Sequence, residues 1–457
     1  MTRAHPRLSR ASTRVASVAA MLALGAHLPL KAQSLAELYE AARAYDATYL
    51  AARALADSAQ YRAAQADALK RPSVGFVANA TRSDLDLPST VSGGVTIPNS
   101  SGHRYANRVD GTVNASQPLL NRVSDATIAQ AQRSLEVASA DLETAEQDLI
   151  IRLAQAYFDV LGAQDNLATA QAGKKAIAEQ LASAKRNFEV GTATITDTRE
   201  AQARFDLATA QEIAADNDLR TKRIALDQLV GRTGVAPLPL AVPVQLPPVA
   251  PDDVGNWVNE ADQQHPLVRK TRLGLEIARL ETERARAADG PTVDLVGSVG
   301  GNRTTGSATT TPGNTLQSAI GVRLNMPLYT GGATQNRIKE TLSLEDKARN
   351  DLEAARRGVA QGTRQAFFGV QSGKAQVSAL EAAESSSKLA LEATQLGYKV
   401  GVRVNLDVLN AQTQLYQTQR DLAKARYDVI VGGLRLRQAS GQLKAADVGA
   451  VNSLLAK

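Results

Sequence analysis

The sequence predicts a mainly helical chain with a membrane β portion, built as a tandem repeat, and three observations carry that prediction. Proline is absent from Leu119 to Ala236 and again from Leu328 to the last residue, and both spans are rich in the helix formers Ala, Leu, Gln, Arg and Glu. Segments around Pro118 and Pro327 instead alternate apolar with polar residues. The chain also superposes on itself at a spacing of 210. That spacing sets AYFDV (Ala156 to Val160) on AFFGV (Ala366 to Val370), Val190-Gly191 on Val400-Gly401, Asp197 on Asp407, Asp218 on Asp428 and Gly231 on Gly441 without a gap. Upstream the spacing becomes 219, which matches RPSVGFVANA (Arg71 to Ala80) with GPTVDLVGSV (Gly290 to Val299).

The first element is a leader, residues 1–32. It holds Arg3, Arg7, Arg10, Arg14 and Lys31 and no acid, and it includes the 16-residue apolar run VASVAAMLALGAHLPL and the small residue Ala32. That is the layout of a secretory signal, and the run is shorter than the roughly 20 residues a spanning helix needs. Most of the formal charge of +6 sits there, since the remainder has 47 basic against 46 acidic residues. Nothing in the mature chain therefore points to nucleic acid. With no cysteine there is no disulfide framework, no lipid-acceptor thiol and no metal–thiolate site.

The strands come next in each copy. Val109, Gly111, Val113 and Ala115 alternate with Arg108, Asp110, Thr112 and Asn114, and Ile320, Val322, Leu324, Met326 and Leu328 alternate with Gly321, Arg323 and Asn325. Period two with one apolar and one polar face fits a barrel strand. The expected pairs are residues 72–85 with 105–118 and residues 291–302 with 317–329. Copy one carries an additional loop, DLPSTVSGGVTIPNSSGH. Four strands cannot close a barrel, and lipid does not tolerate open edges, so several chains must share one.

Long helices follow. Ile128, Ala131, Leu135, Ala138, Leu142, Ala145 and Leu149 recur at three-four spacing, the seam of a coiled coil. From Arg122 to Val190 such a helix would run roughly 100 Å. It breaks at Val190-Gly191, as its counterpart does at Val400-Gly401. Both glycines suit left-handed turns, and Thr194 with Asp197 offers a capping box. Val404 replaces that threonine in copy two, so capping there is expected to be weaker. The expected organisation is repeat 1 over 33–235, a proline-rich linker over 236–251, repeat 2 over 252–445 and a tail over 446–457.

These residues resemble the TolC-like outer-membrane factor family, the exit ducts of Gram-negative efflux pumps and type I secretion systems. The likeness covers essentially all of the mature chain. It is strongest in AYFDVLGAQDNL, in NFEVGTATITD and in GYKVGVRVNLDVLNAQTQLYQTQRDLAKARYD, with weaker support from IGVRLNMPLYTGG. The resemblance implies a homotrimer: a 12-stranded β-barrel in outer-membrane lipid, continued across the periplasm by a coiled-coil α-barrel of 12 helices. It places the two breaks at the periplasmic tip, where Val190, Gly191, Val400 and Gly401 face an adaptor protein that links the duct to an inner-membrane transporter of ABC or RND type.

The resemblance also assigns a pore constriction to Asp407 and Asn410, and a tip gate network to Tyr398, Arg403, Thr196, Asp197 and Arg426. A ring of carboxylates at Asp407 would attract cations. Asn410 departs from the family's usual second aspartate, which predicts a weaker cation block. No cofactor or metal is implied. Catalysis is not expected either, because His103 and His265 have no Ser, Asp or Glu constellation of known spacing around them. The rival reading is an exported structural coiled coil without a pore, which leaves the alternating strands and matched breaks without purpose. Phe76, Tyr105 and Tyr329 are candidate interfacial aromatics, and cargo stays open among drugs, metals and polypeptides.

Overall fold

A computed structural model describes residues 32–87, 91–96, 102–308 and 312–456. The leader lies outside these, apart from its last residue. Copy one holds α1 (Leu35–Tyr45), α2 (Ala47–Asp67), strands β1 (Ser73–Leu87), β2 (Val91–Ser92), β3 (Val95–Thr96) and β4 (Gly102–Leu120), then α3 (Arg122–Glu189) and α4 (Ile195–Val230). Copy two holds α5 (Val254–Gln264), α6 (Pro266–Ala287), β5 (Thr292–Thr305), β6 (Gly313–Asn325), α7 (Ala333–Lys399) and α8 (Asn405–Ala439), before a final α9 (Ala445–Asn452). The 68 residues of α3 and 67 of α7 each extend about 100 Å at 1.5 Å per residue.

The helices form a layer four wide with the same logic in both halves. Towards the Val-Gly breaks the neighbours run α4, α3, α8, α7; towards the strands they run α2, α3, α6, α7. The strands continue that second order, because β1 follows α2, β4 precedes α3, β5 follows α6 and β6 precedes α7. The sheet is accordingly β1-β4-β5-β6, antiparallel throughout, with the outer edges of β1 and β6 unpaired.

The register lays one apolar face across all four strands. Phe76 pairs with Val113, Val113 with Val299 and Val299 with Ser318; one step along, Ala115 pairs with Gly297 and Gly297 with Ile320. Side chains at alternate positions share a face, so Val74, Phe76, Val109, Val113, Leu295, Val299, Ile320 and Val322 stand together, all exposed. The opposite face is polar, with Asn79 Nδ2 donating to Asp110 at 3.0 Å and Arg108 paired to Asp110 at 3.2 Å. The strands reach further into the copy-one loop than the alternation suggested: His103 sits within β4, opposite Asp86. Within that loop β2 and β3 form a small hairpin around Gly93 and Gly94, both at positive φ, the backbone such tight turns need. Residues 88–90 and 97–101 of it lie outside the described residues. β6 ends at Asn325, which leaves Met326, Leu328 and Tyr329 exposed beyond the strand.

The main core sits midway along the helices. Leu35, Leu38, Leu149, Leu153, Tyr157, Phe158, Leu226, Val230, Ile430 and Leu434 are buried there together, each large side chain contributing about 1.5–3 kcal/mol. The proline-rich segment is tied to it rather than loose. Gln33 bridges Pro237, Leu240 bridges Leu455, and the Tyr157 hydroxyl donates to Leu238 O at 2.9 Å. Both copies break their first helix at equivalent places, with Asp46 capping α2 and His265 capping α6. Arg152 clamps Asp46 through two bonds of 2.9 Å and, more than burial opposes it, holds that carboxyl below its ordinary range. His265 Nδ1 accepts from Leu267 N at 3.1 Å while burial pushes its pKa down.

Candidate functional site

The site is the tip where α3 turns into α4 and α7 into α8. Both turns have one geometry. Gly191 N donates to Phe188 O and Thr192 N to Asn187 O; Gly401 N donates to Tyr398 O and Val402 N to Gly397 O. These paired bonds satisfy the last carbonyls of each long helix. Gly191 and Gly401 both have φ of 80°, and a Cβ on either would meet nothing within 4 Å. The turns therefore need glycine for the backbone alone. Val190, Val400 and Val402 project from them at 72%, 65% and 78% exposure, an apolar tip that nothing in the protomer covers.

The helix starts differ. Thr194 and Asp197 complete a capping box, with Asp197 N donating to Thr194 Oγ1 at 3.2 Å and Thr194 N to Asp197 Oδ2 at 3.0 Å. At the start of α8 one half remains: Val404 N donates to Asp407 Oδ2 at 3.4 Å, and valine has no side-chain acceptor to return it.

Each residue expected at the gate has a defined place in the protomer. The Tyr398 hydroxyl accepts from Asn187 Nδ2 at 3.1 Å, joining α7 to α3. Arg403 lies 3.7 Å from Asp407 within one turn and folds its stem over Gly397, where a Cβ would come within 2.8 Å of Arg403 Cγ. Asp197 is engaged by its own cap, and Thr196 is exposed on the first turn of α4. Arg426 pairs with Glu381 of α7 at 2.8 Å. Among the described residues of one protomer, neither Tyr398 nor Arg403 bonds Thr196 or Asp197.

The hairpins are further joined by residues that, apart from Asn410, sequence reasoning passed over. Arg204 Nη2 of α4 donates to Asn410 Oδ1 of α8 at 3.1 Å. Gln180 of α3 donates to Asn405 of α8. Leu409, fully buried, inserts among Ile177, Leu181, Ala184, Ala201 and Ala208. The available signal was that Asn405 and Leu409 lie four residues apart and share a helix face; which hairpin they would meet was not in it.

Among the described residues no cluster of acidic or histidine side chains is arranged to hold a metal ion. Among the same described residues no helix is long and apolar enough to cross a membrane.

The sequence profile described as "Outer membrane efflux protein" matches residues 38–232 and 257–442, one segment per copy. The chain belongs to the outer membrane efflux protein family. Outer membrane protein TolC of Vibrio cholerae is 33% identical over 92% of this chain and 94% of its own length. The alkaline protease secretion protein AprF of Pseudomonas aeruginosa is 31% identical over 85% of this chain and 80% of its own. In shape the chain resembles the outer membrane protein VceC of Vibrio cholerae, with a TM-score of 0.73 over 89% of this chain and 96% of that one at 20% identity. This member of the family is an outer-membrane exit duct of Gram-negative bacteria, of the kind that serves efflux and type I secretion, and not an enzyme.

Proposed function

We propose that three copies of this chain close one duct: four strands from each form a 12-stranded barrel in outer-membrane lipid, and four helices from each form a 12-helix tunnel into the periplasm. The observation that carries this is the double open edge. The sheet ends in unpaired β1 and β6 and presents an uncovered apolar face, and the helical layer that continues it has the same order and the same free flanks. Lipid does not accept an open sheet edge, and closure against copies of itself removes every edge at once. The count of three rests on the family likeness.

In this reading the tip turns at Val190-Gly191 and Val400-Gly401 receive a periplasmic adaptor, which couples the duct to an inner-membrane ABC or RND-type transporter. Asp407 and Asn410 line the closed mouth. The gate network of Tyr398, Arg403, Thr196, Asp197 and Arg426 is completed between copies, since one protomer does not join it. The bond from Asn187 to Tyr398 is worth about 0.5–1.5 kcal/mol, and the exposed Arg403–Asp407 pair under about 1 kcal/mol. A latch of such small parts, repeated around the tip, is weak enough for adaptor contacts to replace.

The test is sedimentation of the purified full chain in detergent, followed by conductance in planar bilayers. A trimer with small closed-state conductance is expected, and Tyr398→Phe combined with Arg403→Ser should raise that conductance several-fold. A monomer without conductance would return the protein to the rival class, an exported coiled coil without a pore.

A further inference from the structure

We propose that Arg204 is a selectivity-determining residue of the duct's mouth, its guanidinium offsetting the Asp407 carboxylate so that the closed end holds no preference for cations. The proposal rests on the placement of Asp407 and Asn410 at the constriction. It goes beyond that placement because Arg204 belongs to the other repeat and to no part of the predicted gate.

Three observations carry it. Arg204 reaches from α4 to α8 and donates to Asn410 Oδ1 at 3.1 Å, so a positive group is held on the residue that replaces an expected carboxylate. Among the described residues Arg204 has no carboxylate within ion-pair distance, so its charge is not cancelled locally. By contrast Asp407 has Arg403 at 3.7 Å. The two matched tip windows, residues 187–204 and 397–414, together hold four basic residues (Arg199, Arg204, Lys399, Arg403) and four acidic ones (Glu189, Asp197, Glu200, Asp407). The tip as a whole is thus electrically balanced, and which charge stands at the mouth decides what ion it favours.

The asparagine fits the guanidinium better than an aspartate would fit this purpose. A carboxylate at that position would pair with Arg204 and neutralise it. The neutral amide oxygen accepts one bond and orients the group while leaving its charge in place. Repeated by the assembly, a basic ring would lie beside the Asp407 ring. Rings of charged side chains set the sign of the ion that passes, and two adjacent rings of opposite sign cancel beyond about one Debye length, near 8 Å at physiological salt.

The experiment uses the purified full-length protein in planar bilayers. It records reversal potential in a potassium chloride gradient and block by hexaamminecobalt(III) added on the tip side. Arg204→Gln is expected to shift the reversal potential towards cation selectivity and to lower the half-blocking concentration by at least about fivefold, the factor one unit charge makes on another about 4 Å away in water, which a trivalent blocker exceeds. Arg204→Lys, which keeps the charge, should return both towards the native values. If the glutamine variant does not assemble, Arg204→Met gives the same reading with a stem of similar length. The proposal is overturned if the uncharged variants conduct with native reversal potential and native block, or if the lysine variant shifts as far as glutamine. Loss of all conductance from the native protein would instead remove the pore reading beneath it.

Discussion

At the scale of single residues, the same substitution has different consequences at two glycines of like backbone. Gly401 and Gly441 both hold positive φ, so alanine strains either by roughly 1–2 kcal/mol. Around Gly401 there is open space, whereas a Cβ on Gly441 would fall 2.5 Å from His265 Cα, in backbone that cannot swing aside. Gly441→Ala should therefore cost at least about 1 kcal/mol more than Gly401→Ala, measured as the difference in urea midpoint by circular dichroism. Asp46 makes a second prediction, with pH. Arg152 holds its carboxyl below the ordinary range, so the folded state binds the proton less readily than the unfolded chain. The stabilisation is complete above the usual carboxylate value near 4 and is lost as pH falls through the lower folded value. Asp46→Asn should destabilise by about 1–2 kcal/mol at pH 7, a figure reduced because Arg152 is partly exposed. Native protein and variant should converge in urea unfolding as the pH is lowered through that folded value.

At the scale of elements, the start of α8 is under-capped. Val404 bonds Asp407 through its backbone alone, while Thr194 in the other copy uses both partners. Val404→Thr should stabilise the first turn of α8 by about 0.5–1 kcal/mol, seen as slower amide hydrogen exchange there, with α4 unchanged. This weakness was readable in advance because a cap is a matter of residues three apart. The break between α1 and α2 was not. AYDATYL contains neither proline nor glycine and favours uninterrupted helix, yet Asp46 turns to cap α2 because Arg152, a residue of another helix, holds it. Proline beside His265 marked the matching break in copy two.

For the whole molecule, the sheet's two faces predict opposite tolerances. Ile320 stands on the uncovered apolar face and Gln317 on the polar one, three residues apart in β6 and pointing to opposite sides. Ile320→Lys should disfavour membrane assembly by about 2–4 kcal/mol if mid-plane, so that the oligomer proposed above, sought as a heat-modifiable band in outer-membrane fractions, should be missing for this variant. Gln317→Lys should leave it in place. The aromatics expected at the interfaces divide by position. Tyr105 lies near the far end of β4 under the Arg82 guanidinium, 5.2 Å from its ring centroid, Tyr329 lies beyond the helix-side end of β6, and Phe76 stands on the apolar face near that same end.

Helix length, strand period, the glycine turns and the doubling of the chain were determined by the sequence alone, because each depends on residues close together along the backbone. Propensity, alternation and capping act over one turn or a few strand positions. Tertiary structure decided that β4 meets β5, that Tyr398 bonds Asn187 and that Arg204 reaches Asn410. Those pairs are some 200 residues apart, and they follow from how two 100 Å hairpins settle against each other. That alignment is the sum of many weak contacts along the helices, and no short stretch of the chain encodes it.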